Sequence, residues 1–173
     1  MDMLKPQDIV VVMKILAKGQ QEWAQGSLAQ EIGMSASEVN AGIKRSSLAG
    51  LLRKKNDKVI PVKKSIEEFL IHGLKYVFPV VRGEPTRGIP TSSAAPFFKN
   101  ILSDSADLPP VWPDADGEIK GYALKPLYKC VPFAVKQDQA LYQYLSIIDA
   151  LRSGRAREVS AAKKLLQEAL SIK

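Results

Sequence analysis

Nine of the eleven prolines in this 173-residue chain fall between Pro79 and Pro132. Proline has no backbone N–H, and its ring clashes with the preceding helical turn, so no long helix can run through that window. The runs RGEPTRGIPTSSAAP and SDSADLPPVWPDADG add the glycine, serine and aspartate typical of turns. The window is too apolar for a free linker, because Val80, Val81, Phe97, Phe98, Ile101, Leu102, Val111, Trp112, Tyr122, Leu124 and Leu127 all need cover. An irregular segment of loops and short strands is expected there, with one short helix around Phe97 to Leu102.

Helical periodicity returns on both sides. Pro6 to Ala17 places Ile9, Val12, Met13 and Leu16 on one apolar face, with proline at a permitted first-turn position. Ser65-Ile66-Glu67-Glu68 fits a capping box opening a helix to about Tyr76, with Ile66, Phe69, Leu70, Gly73 and Val77 along one side. Near the C-terminus, Gln137 to Leu151 aligns Leu141, Tyr144, Leu145, Ile148 and Leu151. Arg155 to Ser171 then aligns Val159, Ala162, Leu165, Leu166 and Ala169. This helical pair either completes the monomer core or dimerises the protein, and the dimer is the favoured expectation.

The stretch Ser27 to Leu52, SLAQEIGMSASEVNAGIKRSSLAGLL, is the most specific. Ser27 suits an N-cap, Leu28, Ala29 and Ile32 face inward, and Gly33 permits a sharp turn above Met34. Ser35 and Glu38 form a capping box for a second helix. Val39, Ile43 and Leu48 are assigned inward, with Ser37, Asn40, Ala41, Lys44 and Ser47 outward. Leu51-Leu52-Arg53 and Val59-Ile60-Pro61 can pair across the connection Lys54-Lys55-Asn56-Asp57-Lys58 as a basic hairpin.

Leu28-Ala29, Gly33, Ser35, Val39 and Gly50-Leu51-Leu52, followed by that hairpin, resemble the winged helix-turn-helix of bacterial transcription regulators. The likeness includes the multiple-antibiotic-resistance-regulator (MarR-like) type and covers roughly Gln7 to Pro61. Ser46 departs from it, standing where such proteins usually carry leucine. The resemblance implies a winged helix-turn-helix DNA-binding domain. With the composition shift at Pro79, the chain reads as mainly α with a small β-wing, divided into that domain at 1–78 and a proline-rich region with a C-terminal helical pair at 79–173. The resemblance also implies a dimeric repressor of its own operon, with double-stranded DNA as partner and the recognition helix in the major groove.

The charge pattern points independently toward an anionic partner. From Lys44 to Lys64 there are eight Lys or Arg and one acid, Asp57, so this window holds a surplus equal to the whole chain's +7. Cations so placed neutralise phosphates and release counterions. Asn40 can pair with adenine and Lys44 with guanine, while Ser35, Ser37 and Ala41 sit close enough to touch base edges or phosphates. Arg45, Lys54, Lys55, Asn56 and Lys58 are assigned to phosphate or the minor groove. A solvated charged face is the bland reading of the same residues.

Little points to an enzyme. His72 is the only histidine and reads as a surface residue; Cys130, the only cysteine, reads as a buried inert thiol. The sequence has no zinc spacing, P-loop or dinucleotide-binding glycine pattern, and no cofactor or metal is expected. Asp104, Asp107, Asp114, Asp116 and Glu118 could be drawn as a Mg²⁺ site but read better as turn residues. Tyr76, Arg82 and Arg87 could hold an anionic effector or a partner peptide, or simply be structural. The segments FLIHGLKYVFP and GIPTSSAAP resemble small regulators encoded beside bacterial toxin or defence genes. An antitoxin-like or adaptor module that binds a protein is therefore the alternative function, and an enzyme with a carboxylate site in the loops a more distant one. With one cysteine, no signal-peptide pattern and no membrane-length apolar run, the expected location is the cytoplasm, at the nucleoid.

Overall fold

In the computed structural model, which describes residues 2–99, 101 and 107–171, the chain begins with a helix that has almost no polar side. Every residue from Asp8 to Leu16 of α1 (Pro6–Lys18) is buried. Periodicity in the sequence suggests one apolar face, yet Val10, Val11 and Ile15 make the remaining faces apolar as well. The single lysine among them, Lys14, is accommodated by ion pairs to Asp138 at 2.7 Å and Glu31 at 3.0 Å. A buried ammonium is tolerated only with such partners. Hydrogen bonds and charges from Asp138 and Glu31 outweigh the burial that would lower its pKa, and the net shift is upward.

Around α1 stand α2 (Gln25–Ile32), α3 (Ala36–Leu48) and an antiparallel hairpin of β1 (Leu52–Lys55) and β2 (Lys58–Pro61). The chain divides into two compact units, and this first one comprises residues 1–66 together with 127–141. It therefore takes in α6 (Val131–Val135), an element absent from the expected organisation, instead of running unbroken to residue 78. Helix α2 starts two residues before Ser27, whose hydroxyl bonds back to the Ala24 carbonyl at 2.9 Å from inside the first turn. At Gly33 the backbone turns with φ 73°, and a Cβ there would lie 2.9 Å from Phe133 Cδ1. Both facts reserve the position for glycine.

Helix α4 (Lys63–His72) and the one-turn α5 (Leu74–Val77) replace the single expected helix. The break falls at Gly73, Ser65 lies within α4 instead of capping it, and Val77 is exposed. The second unit comprises residues 67–126 and 142–173. Its proline-rich part contains the short strands expected there, and they pair into one three-stranded sheet where an irregular segment was expected. Strand β3 (Arg82–Pro90) runs antiparallel to β5 (Ile119–Leu124), with Arg87 opposite Lys120, and to β4 (Pro110–Pro113), with Ile89 opposite Trp112. A short parallel pairing of Pro110 with Tyr122 closes the set. Prolines sit at strand ends, and Pro85 sits at a register shift, where a missing N–H costs the ladder least. The expected helix near Phe97 is a 3-10 turn at Pro96–Phe98; Leu102 lies outside the described residues, and Val81 and Ile101 are exposed.

Helices α7 (Gln139–Ser153) and α8 (Ala156–Leu170) form as their periodicity predicts. All of 144–151 is buried, however, so α7 is a core helix on every side. Leu145 and Leu165, assigned to a dimer face from sequence, are 2% and 8% exposed within one chain and belong to its core. Ser146 and Asp149 are the buried polar exceptions on α7, and Asp149 is the charged one. Its Oδ2 accepts from Trp112 Nε1 at 2.7 Å and Thr91 Oγ1 at 2.8 Å, and its Oδ1 from Arg152 Nη2 at 3.3 Å. Burial pushes its pKa up, against the opposing pull of Arg152, Thr91 and Trp112.

Removing this acceptor strands three buried donors. Asp149→Ala is expected to lower unfolding stability in urea by about 3–5 kcal/mol, the usual cost of breaking a buried charged network. A loss under about 1 kcal/mol would contradict the role given to it here.

Candidate nucleic-acid interface

Helix α3 is positioned by two sequence-local devices and one long-range pair. At its start, Glu38 N–H donates to Ser35 Oγ at 3.2 Å and Ser35 N–H donates to Glu38 Oε2 at 2.8 Å, the reciprocal capping box expected from the sequence. Tyr128 adds a hydroxyl donated to Glu38 Oε1 at 2.6 Å. This bond, with those from Ser35, holds the Glu38 carboxyl below its ordinary value. At its middle, Gly42 lets α3 approach α1 closely, since a Cβ would already stand 3.2 Å from Asp8 Oδ1 and 3.4 Å from Val11 Cγ2.

Arg45 spans the same crossing. Its Nε and Nη2 donate to Asp8 Oδ2 and Oδ1, each at 2.7 Å, with Asp8 fully buried and the Arg45 side chain 13% exposed. Asp8 Oδ2 also accepts from Lys5 N–H at 2.8 Å at the N-terminus of α1. The fork-to-carboxylate geometry is the strong form of an ion pair. Hydrogen bonding to Asp8 raises the Arg45 pKa further. Arg45 is therefore spent inside the protein, which corrects its assignment to a phosphate: the side chain that reads as a surface cation is half of an internal clamp.

With Val39, Gly42, Ile43 and Ser46 buried, the opposite stripe of α3 is left outward. Ser37 and Lys44 are exposed, and Asn40 and Ala41 between them are half-buried on the same helical face. Ser35 is exposed as well, but its hydroxyl is engaged with Glu38 and lies 3.1 Å from Ser37 Oγ. Leu48 is the reverse of its expected placement, at 75% exposed. Ser46 fills the inward position instead, and its small side chain suits a site with no measurable exposure.

The chain leaves α3 through a bond from Leu51 N–H to the Ser46 carbonyl at 2.9 Å and enters β1. Asn56 and Asp57 make the whole turn, with φ 51° and 60°, so Lys54, Lys55 and Lys58 stand on the strands and not in a five-residue loop. Two consecutive left-handed residues match the twist of a tight hairpin, and Asn and Asp tolerate that region best. Lys44, Arg53, Lys54, Lys55 and Lys58 are all exposed. Among the described residues only Lys58 of these has an ion pair, to Glu22 at 3.3 Å, with both side chains largely in water. Such a pair is weak.

Other candidates resolve differently. His72 is exposed, as expected. Cys130 is buried and its thiol pKa is pushed up to about 12 by burial, so it stays protonated at neutral pH. Arg87 donates to the Gly117 carbonyl at 3.3 Å. Asp114 Oδ1 accepts from Asp116 N–H at 2.8 Å, a local turn bond, and Asp104 lies outside the described residues. Among the described residues no group of three His, Cys, Asp or Glu is placed to hold a metal ion, and no helix is long and apolar enough to cross a membrane. Compared with protein families, characterised proteins and solved structures, the chain finds no match.

The clamp can be separated from DNA contact by thermodynamics. Arg45→Ala should cost about 3–5 kcal/mol of folding stability by leaving Asp8 buried and unpaired. In a double-mutant cycle with Asp8→Ala, the double variant should lose less than the two single losses combined. Full stability of Arg45→Ala would contradict the internal assignment.

Proposed function

We propose that the unit from α1 to β2 is a winged helix-turn-helix that binds double-stranded DNA, with α3 in the major groove and the β1–β2 hairpin as the wing. The observation that carries this reading is the combination of an outward Ser37–Asn40–Ala41–Lys44 stripe on a firmly clamped helix with a tight hairpin whose exposed cations, Lys58 apart, have no ion pair among the described residues. In this reading Asn40 and Lys44 read bases, while Ser35, Ser37 and Ala41 lie at the phosphate or base edge. Lys54, Lys55, Asn56 and Lys58 hold the backbone. The biological role we infer is a bacterial cytoplasmic transcriptional regulator of its own operon, the repressor role following from the family resemblance. A homodimer bridging two half-sites is part of that inference, but the leucines of α7 and α8 are already used in the core. The dimer must meet through other surfaces.

One observation favours a second reading, a protein-binding module of the antitoxin or adaptor kind: Leu48, near the end of α3, is 75% exposed. The two readings separate on salt. Binding to duplex DNA from upstream of the gene, followed by fluorescence anisotropy, should weaken steeply as salt rises, by about 0.9 in log–log slope per phosphate neutralised. Lys54→Ala and Lys55→Ala should each reduce that slope by about 1 with little effect on sequence preference. Asn40→Ala should cost about 1–3 kcal/mol on the preferred site and almost nothing on random DNA. Absence of DNA binding at low salt, with a protein partner lost on Leu48→Asp, would favour the second reading.

A further inference from the structure

The second unit contains a cavity of about 370 Å³ with an excess of positive charge. Its walls include Lys75, Arg82, Arg152 and Tyr122, with Val80 and Leu124 as apolar surface, and among the described residues no carboxylate lines it. The three cations are not equivalent. Arg152 is 3% exposed, donates Nη1 to the Phe78 carbonyl at 2.8 Å and is compensated by Asp149 at 3.3 Å. Its Nε–H is buried and meets no acceptor among the described residues. Held by Phe78 and Asp149, Arg152 is a fixed and already engaged part of the wall, which leaves Arg82 and Lys75 as the available cations.

Arg82 and Lys75 are exposed and have no ion pair with any described residue. Arg82 lies with its guanidinium carbon 3.8 Å from the centre of the Tyr122 ring, a stacked arrangement that fixes the plane of its donors. Lys75 Nζ is 5.0 Å from the Tyr76 ring. A planar fork held on an aromatic face, with an exposed ammonium lining the same cavity, is suited to an anion with several oxygens around one centre, which is phosphate chemistry. The volume lies at the small end of ligand pockets, and the Val80 and Leu124 walls accommodate an organic portion.

We propose that this cavity binds a small organic phosphate of about mononucleotide size, with Arg82 and Lys75 holding the phosphate and Arg152 forming a fixed part of the wall beneath it. The site shares no residue with α3 or the hairpin, so it neither rests on the DNA-binding reading nor falls with it.

Calorimetric titration of the full chain with AMP and with inorganic phosphate, in low-salt buffer and without DNA, tests the proposal. Both should bind, AMP more tightly, and Arg82→Ala and Lys75→Ala should each weaken AMP by about tenfold or more, the loss expected for a charge-assisted contact. Lys120→Ala, an exposed cation on β5 outside the cavity, should leave affinity unchanged. Both positions tested are exposed, and circular dichroism of each variant verifies the fold. The proposal is overturned if wild-type protein binds neither probe, if AMP binds no better than phosphate, or if Arg82→Ala and Lys75→Ala bind like wild type. Equal weakening by Lys120→Ala would also overturn it, by revealing diffuse attraction.

Discussion

The forked pair between Asp8 and Arg45 is the contact on which the proposed DNA-binding half depends. Each partner alone would be costly: a buried carboxylate at the head of α1, and a guanidinium on a helix whose outer face should meet solvent. Together they satisfy one another at two distances of 2.7 Å and set the rotation of α3 about its axis. Gly42, one turn earlier, removes the side chain that would hold the helices apart. Once α3 is fixed in this way, Val39, Ile43 and Ser46 must face in. Ser37, Asn40, Ala41 and Lys44 are then left as its outward stripe. The rotation matters more than the pair's net contribution, because buried ion pairs often add little stability over apolar replacements.

A similar economy operates in the second unit, where one carboxylate organises several chain segments. Asp149 takes donors from Thr91 at the end of β3, from Trp112 on β4 and from Arg152 one turn along α7. A sheet interrupted by so many prolines cannot rely on long ladders, and this buried acceptor supplies side-chain bonds in their place. The same network holds Arg152 where it lines the cationic cavity. The carboxylate that ties the sheet to α7 thus also fixes one wall of the proposed ligand site.

Much of the first unit is legible in sequence because its signals are local. Ser35 and Glu38 announce the start of α3, Asn56-Asp57 announces a hairpin turn, and the crowding of cations after Lys44 needs only counting. What is not legible is anything that depends on residues far apart in the chain. Nothing in the local sequence distinguishes Arg45 from Lys44, although one is clamped to a residue 37 positions away and the other is free in solvent. Helical periodicity also understates α1 and α7, because it reports one apolar face and cannot show that the other faces are covered too. In the proline-rich region, strand pairing between Arg87 and Lys120 or Ile89 and Trp112 joins short segments whose register no local rule specifies. Asp8, Tyr128 and Asp149 carry no motif, and their importance appears only with their partners.

In the proposed function, α3 and the hairpin together form the DNA-binding surface. Amide hydrogen exchange, measured with and without duplex DNA from upstream of the gene, tests it most directly. Exchange is expected to slow in 36–48 and 52–61, with 142–171 unchanged. Protection confined to other segments, or none at low salt, would contradict it.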